Sequence, residues 1–421
     1  MNKKSIVALL TASLCALTLT VTGCGDSKDD NTSGGGNASA ESPVTIKWGV
    51  WGSSQDIETF NKMADGVNEV VPEVKNIEVM HYASTDDFWS GLPSQVAAGT
   101  APDMALPTNE NAYEFINGGL FIPLDTDAID VSKIDENAIR IWTVDDKLYG
   151  FPIDAQPTCF LINLDMWEAA GLTEADYPKT WDDVRAAAEK LTTDDVTGIC
   201  INMESTFHIT QVVQSFGGGW GEGKTIDSAE NAEGLQWVID MFKDGLAVSS
   251  KQIGDDWEGT SFAQNHVAMT MGGTWFRGQM QTAAPDTNYI ALPIPQKDPA
   301  NPASALHSDA IVIFKSCENV AAASKAAEYL AREDCQQIRA EGTGNIPSIP
   351  ELYEKYYEDN PQFASLKGTE SYSIPFGYPA KTSQFQTAFV NEATKVLYDS
   401  SNNGTAEEIL AAVAETYGPV E

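Results

Sequence analysis

Residues 44–106 open on VTIKWGV (44–50) and close on DMAL (103–106), and what alternates between those two runs decides the fold. Val44–Val50 mixes β-branched and aromatic residues and reads as a strand. Across Asp56–Val70, the residues Ile57, Phe60, Met63, Val67 and Val70 recur at helical spacing, which predicts one helix with a single apolar face. Ile77–His81 reads as a second strand. Asp86–Ala98 (DDFWSGLPSQVAA) reads as a second helix, stopped by GTAP, and Asp103–Leu106 as a third strand. Strands and helices taking turns in this way predict a parallel α/β sheet.

The alternation continues outward. Asn111–Asn117 is a short helix, and Ile141–Val144 with Lys147–Phe151 forms a hairpin around Asp145-Asp146. Phe160–Asn163, Gly198–Asn202, Ala268–Met271, Tyr289–Ala291 and Ala310–Phe314 read as strands. Helices are expected over 164–171, 180–191, 228–244, 320–332, 384–397 and 406–417. Thr180 is an N-cap with Asp183 three residues on, close to a capping box. No fixed-period repeat and no internal linker interrupts the chain. That suits two lobes through which the backbone passes more than once.

Upstream, Lys3 and Lys4 precede an apolar run from Ile6 to Val21 that ends on Gly23-Cys24, and Gly25 to Asp30 turns abruptly polar. A basic start, a short apolar core and a small-residue cleavage site make a secretory signal. Val21-Thr22-Gly23-Cys24 resembles a bacterial lipobox. That resemblance implies cleavage of residues 1–23, acylation of the Cys24 thiol and amine, and an extracytoplasmic protein anchored to the cell membrane. An ordinary signal peptide with a coincidental cysteine is the other reading. Residues 24–43 contain Asp, Asn, Ser, Gly and Ala and a GGG run, the composition of a flexible tether. No later segment carries eighteen consecutive apolar residues, so no transmembrane helix is expected after the leader.

The formal net charge is −36, and the leader removes two lysines and no acid. Such acidity argues against nucleic acid and weakens the case for polyanionic ligands or anionic lipid surfaces. Besides Cys15 and Cys24 the chain has Cys159, Cys200, Cys317 and Cys335, with no CxxC, so zinc and redox motifs are absent. A helix between Cys317 and Cys335, at about 1.5 Å per residue, holds them beyond disulfide reach. Cys159 and Cys200 lie in two predicted strands and either pair, if those strands are neighbours, or stay buried thiols.

Eight local signatures follow one another in a recognisable order. They are GTAPDMAL (99–106), GGLFIPLD (118–125), KLYGFPID (147–154), FLINLDMWEAAGL (160–172), PKTWDDVRAAAEKL (178–191), FAQNHVAMTMGGTW (262–275), LPIP (292–295) and SDAIVIFKSCENVAAASKAAEYL (308–330). From about residue 44 onward the chain resembles the extracellular solute-binding proteins of ATP-driven sugar importers, the maltose-binding-like family. The resemblance implies an α/β, two-lobed periplasmic-binding-protein-like fold of type II that closes over ligand like a Venus flytrap. Lobe 1 would hold 44–154 plus 308–331 and lobe 2 156–304 plus 335–421, with crossings near Asp154–Pro157, His307 and Asp334. It further implies a monomer that hands a carbohydrate to ABC permease subunits, with no metal or cofactor.

A sugar offers hydroxyls at its rim and C–H groups on its faces, so its site needs carboxylates or amides beside aromatic rings. Trp51 and Gln55 flank the polar turn after the first strand, where open α/β sheets bind ligands. Asn109 and Glu110 follow the third strand. In the family a sugar-contacting acid falls at Glu110, while Asn111 stands where the maltose-type pattern has Arg; Asn109 also reads as a helix N-cap. Asp154 and Gln156 sit at the first crossing, and His307 and Asp309 at the second. Glu204 and Phe207 match a family loop with a carboxylate and an aromatic, and His208 adjoins them. Trp275 follows MTMGG, where a family aromatic stacks on sugar and paired glycines allow close approach. Tyr372, with Phe376, lies in the segment that the family brings to the cleft last.

Gly218–Thr225 (GGWGEGKT) matches the P-loop pattern formally. The segment before it, ITQVVQSFGG, reads as helix as easily as strand, and an exported protein meets little ATP. A secreted glycoside hydrolase, which needs two carboxylates flanking a bond, is the competing class. The chain has no HExxH, no GxSxG and only four histidines. Binding of a peptide or polyol in the same cleft is a third reading; the scarcity of Arg near the candidates favours a neutral sugar. A binder without enzymatic activity is the expectation.

Overall fold

A computed structural model of the chain describes residues 42–82, 85–203, 205–399 and 401–418. The leader, Cys24, most of the tether and Glu204 lie outside the described residues. The strands are β1 (Val44–Trp51), β2 (Val74–Tyr82), β3 (Met104–Ala105), β4 (Thr143–Val144), β5 (Lys147–Leu148), β6 (Gly150–Pro152), β7 (Gln156–Pro157) and β8 (Cys159–Asn163). After them come β9 (Thr197–Cys200), β10 (Ala247–Val248), β11 (Val267–Gly272), β12 (Tyr289–Pro293), β13 (Ser304–His307), β14 (Ala310–Ile313) and β15 (Ser373–Ile374).

Two five-stranded sheets organise the molecule, ordered β2-β1-β3-β14-β6 and β10-β9-β11-β8-β12. In the first, β1 pairs parallel with β2 and β3, as the opening stretch predicts, and β14 enters antiparallel from far along the chain. Each sheet has its own core. Trp48, Phe60, Met63, Phe88 and Ile311 pack with the first, and Ile162, Trp167, Trp181, Ile199 and Leu235 with the second. Along β8 the burial alternates: Phe160 and Ile162 face one core, Cys159 and Leu161 another built on Phe276 and Tyr356. The second sheet is therefore covered on both faces.

The helix expected over Asp56–Val70 is two helices, Ser54–Ala64 and Val67–Val70. Gly66 at φ 79 breaks the spiral between them, and Val70 rotates out to 52% exposure. The first helix starts on a reciprocal box: Ser53 Oγ accepts from the Asp56 amide at 3.3 Å, and the Ser53 amide donates to Asp56 Oδ2 at 2.8 Å. Thr180 and Asp183 cap helix Trp181–Leu191 in the same way. The 141–151 hairpin is confined to β4 and β5. Asp145 and Asp146 both take positive φ at its turn.

The chain leaves the first sheet at β6, reaches the second through β7, and returns through β13 to β14. β7 and β13 run side by side, His307 opposite Gln156 and Leu306 opposite Pro157. A third passage follows. The expected crossing near Asp334 falls later, because Cys335 lies in the first core and helix Glu333–Thr343 packs on helix Ser54–Ala64. Gly342 permits that approach: a Cβ there would overlap Thr59. Only at Gly344 does the chain move on, with Ile346 in the second body's core and its carbonyl accepting from the Ala155 amide at 3.1 Å. Cys159 and Cys200 are free and buried, since β11 stands between β8 and β9; burial pushes the Cys200 thiol up to about 12.

Candidate functional site

The three passages lie between the two five-stranded sheets, and a chain of charges runs along them. Asp154, two residues after β6, is fully buried. Its Oδ1 accepts from the Asp309 amide at 2.7 Å, and its Oδ2 accepts from Arg339 at 2.7 Å and from Asn345 Nδ2 at 3.0 Å. Arg339 also donates to Asp309. His307 continues the chain, with Nδ1 2.8 Å from Glu110 Oε1 and Nε2 3.7 Å from Asp309 Oδ1.

This arrangement perturbs its members. Burial, then the neighbouring Asp309, pushes the Asp154 carboxyl up to about 7 against the pull of Arg339 and His307. Burial alone would lower His307. The Glu110 bond, followed by the charges of Asp309 and Asp154, lifts it instead to about 9. At neutral pH His307 is therefore an imidazolium held between two carboxylates.

Rings make the facing wall. Phe207, the first residue of helix Phe207–Ser215, stands edge-on to His307 at 6.3 Å, 5.8 Å from Trp275, and stacked on Phe376 at 5.6 Å. Trp275 is itself 4.8 Å from His307. The Trp275 indole lies where a Cβ on Gly273 would be, so the glycine of MTMGG seats the ring. Trp275 also borders a cavity of about 610 Å³ whose other sides include Ser54, Gln55, Trp257, Gln279 and Asn345. A smaller space of about 120 Å³ adjoins Glu110, Arg140 and Phe376.

The structure thus brings together Glu110, Phe207, Trp275, His307 and Asp309, with Gln55 beside Trp275 on the larger cavity. Asp154 has both carboxylate oxygens engaged and nothing left for a solute. Asn109 spends its amide on the crossing, accepting from the Ser308 amide at 3.0 Å and donating to the Leu306 carbonyl at 2.9 Å. The cap position falls on Thr108. Gln156 is buried and accepts from the Thr274 hydroxyl, with its Nε2 lacking a protein partner. Trp51 turns into the first lobe's aromatic group, 5.1 Å from Phe88 and 6.2 Å from Trp89. Tyr372 is half-buried and borders neither cavity; Phe376 from the same segment makes the contact. His208 accepts from the Asn202 amide at 2.8 Å and faces buried Glu258 at 3.7 Å.

Residues that went unread in the sequence include Arg339, Asn345, Trp257 and Gln279. Arg339 has no local signal, since its partners lie 185 and 30 residues away. Trp257 has one, a glycine two positions on, mirroring the glycine two positions before Trp275. The formal P-loop is a closed turn. Helix Phe207–Ser215 precedes it, Trp220 is buried, and Asn231 Oδ1 takes the Gly219 amide at 2.7 Å.

Residues 55–365 match the family described as bacterial extracellular solute-binding protein. A galactooligosaccharide-binding protein of Bacillus subtilis is 23% identical over 371 residues, 84% of this chain and 82% of that one. An ABC substrate-binding protein from Listeria monocytogenes, solved in complex with cycloalternan, superposes with TM-score 0.78 at 21% identity, covering 89% of this chain and 98% of its own. A solute-binding protein from Thermotoga lettingae, bound with α-D-tagatose, gives TM-score 0.77 at 25% identity over 89% and 98%. These likenesses carry the two-lobed α/β fold.

Proposed function

We propose that this chain, which belongs to the bacterial extracellular solute-binding proteins, captures a carbohydrate between its lobes and delivers it to an ABC importer. The observation that carries the reading is the pairing of Trp275 and Phe207 with Glu110 and His307 across one cleft. Rings cover the C–H faces of a sugar, and the ion pair and Gln55 meet its hydroxyls. The sugar-binding names of the relatives point the same way.

On this reading lobe 1 is 44–154 with 308–343, lobe 2 is 156–304 with 345–418, and Gly344 is the pivot of the third passage. At φ 87, with a Cβ there crowding Arg277 and the Thr274 carbonyl, this position takes only glycine without strain. Solute binds the closed form more tightly than the open one, so binding and closure are one equilibrium. Cys24 carries the lipid that keeps the protein at the cell membrane, and the closed form is what the permease recognises. The bound sugar leaves unchanged.

Thermal unfolding of the mature chain against sugars, peptides and polyols tests this. A ligand that binds only the folded state raises the melting temperature. A shift with one carbohydrate class, and recovery of that sugar intact, is the expected result. A shift with peptides alone overturns the ligand class, and release of shortened sugar reinstates the hydrolase.

A further inference from the structure

We infer that Glu114 is a latch between the lobes: its carboxylate caps a helix of the opposite lobe in the closed form, and so holds solute in without touching it. This rests on capture by closure as proposed above, not on the class of solute. Helix Asn109–Asn117 belongs to the first body, whose core takes in Ala112 and Ile116. Helix Thr382–Leu397 belongs to the second, through Phe385, Phe389 and Ala393. Between the two helices, Glu114 Oε2 accepts from the Ser383 amide at 2.9 Å and from the Ser383 hydroxyl at 2.7 Å. Glu114 borders neither the cavity of about 610 Å³ nor the space of about 120 Å³.

The bond answers a need on each side. The first amides of a helix have no partner within it, and a side-chain oxygen just before the first turn commonly takes one. Helix Thr382–Leu397 starts after Lys381 and makes no side-chain cap of its own. Glu114, 269 residues away in the chain, fills that role, and its charge faces the positive end of the helix dipole. On its own helix Glu114 stands one turn after Glu110. Glu110 is engaged by His307 at the crossing, while Glu114, about 6 Å further along the axis, reaches the other body. A second bond also crosses. Arg140, between Ile139 and Ile141 of the first body, donates to the carbonyl of Ser373, which lies beside Ser304 in the second. A hydrogen bond is lost within about an ångström of stretch, so neither contact survives rotation of one body away from the other. Ser383 is exposed and Glu114 only half-buried, so water takes over both groups at little cost when the lobes part. An interaction present in the closed form alone shifts the equilibrium toward it.

Affinity, dissociation rate and melting of the mature chain test the latch, with maltotriose, galactotriose, arabinotriose and trialanine as probes; the ligand used is the one that raises the melting temperature of the wild type. Glu114→Ala is expected to weaken that ligand about three- to tenfold, the size of a lost helix cap. The loss should lie in faster dissociation, with the empty protein melting within a degree of wild type. Ser383→Asp puts a negative charge at the helix start, where it favours the helix, but repels Glu114. It should weaken binding at least as much and leave the empty protein no less stable. Glu114→Lys combined with Ser383→Asp restores attraction across the cleft and should recover at least half of the lost affinity. Unchanged affinity in Glu114→Ala and Ser383→Asp overturns the latch. A fall in the melting temperature of empty Glu114→Ala with affinity unchanged overturns it too, since the bond is then a permanent cap. A response to trialanine alone overturns the carbohydrate reading, and the same variants then decide the latch with that peptide. A wild type that binds none of the four overturns the proposed capture of these solutes, and the latch with it.

Discussion

From Asp154 to Glu110 the cleft floor is a run of alternating charges; from Phe376 to Trp257 the facing wall is a run of rings. The floor is buried and tied to itself. Asp154, Arg339, Asp309, His307 and Glu110 bond to one another across three separate chain passages. Water is excluded from most of it, so its members are held by partners or not at all. The wall is half-open. Trp275 and Trp257 are fixed at one side by glycine and keep surface for something else. On the proposed reading, polar groups set the geometry at the hinge and apolar groups set affinity at the mouth, while each sheet keeps an apolar core of its own.

The sharpest way to break this contrast is Arg339→Met. Arg339 is 4% exposed, and one guanidinium nitrogen serves both Asp154 and Asp309. Nε and Nη1 find no protein acceptor, and the group lies 5.5 Å from the Phe60 ring. Removing it takes the cation from buried Asp154 and from part-buried Asp309, a change that costs about 3–5 kcal/mol. A large fall in the urea midpoint is expected at pH 7. An unchanged midpoint would show that the floor is ornamental and that the apolar cores alone hold the hinge.

Acidity probes the same floor without mutation. His307 is raised to about 9, above its unfolded value, so its contribution is complete below about 6.5 and is lost as pH rises through about 9. Asp154, raised to about 7, acts in the same direction: folding favours its protonated form, and that contribution fades as pH rises through about 7. Stability should therefore decline from about pH 4 to 7 on account of Asp154 and from about 6.5 to 9 on account of His307, by about 2–3 kcal/mol for His307. In His307→Gln the decline should be shallower, with the variant weaker than wild type at pH 6 and level with it at pH 10. Parallel curves for the two proteins would remove His307 from the floor.

How much of this could be read beforehand follows from the same contrast. The wall was legible where it is local. Trp275 is flagged by the glycines before it, and Phe207 by its place after a strand. Capping signals such as Thr180 with Asp183 were legible for the same reason, since both partners lie within one turn. Of the floor, Glu110, Asp154, His307 and Asp309 were named from the sequence, but Arg339 was not, because it meets Asp154 only after the chain has crossed twice. Trp51 shows the limit for rings. Its turn is where ligands bind, yet Phe88 and Trp89, on a helix 37 residues further on, draw the indole inward. Gly66 split a helix that apolar spacing alone left whole.

On the wall, Trp275→Ala should weaken the sugar identified by melting by more than tenfold, or about 1.4 kcal/mol. The melting temperature of the empty protein should stay within a degree or two, because the ring is only half-buried. The two measurements belong together. Loss of affinity with loss of stability would make Trp275 part of the core, and the division between floor and wall would fail there.

The smallest effect is expected where glycines are densest. Gly218–Thr225 uses its glycines neither to seat a ring for a ligand nor to pivot a lobe, but to close a loop on its own side chains. Gly218 lies against Asn231, whose amide group also serves the carbonyls of Gly219, Thr225 and Ile226. Lys224, the residue that would meet a phosphate, instead faces Glu222 at 3.3 Å with both side chains mostly exposed. Such a pair contributes about 0–1 kcal/mol. Lys224→Ala should leave melting, sugar affinity and the absence of any ATP-induced shift unchanged. Gly218→Ala, by contrast, should unsettle the loop, because a Cβ at that position overlaps Asn231. An ATP-dependent rise in melting temperature that Lys224→Ala removes would show that this loop opens to a nucleotide, and that glycine density marked a site after all.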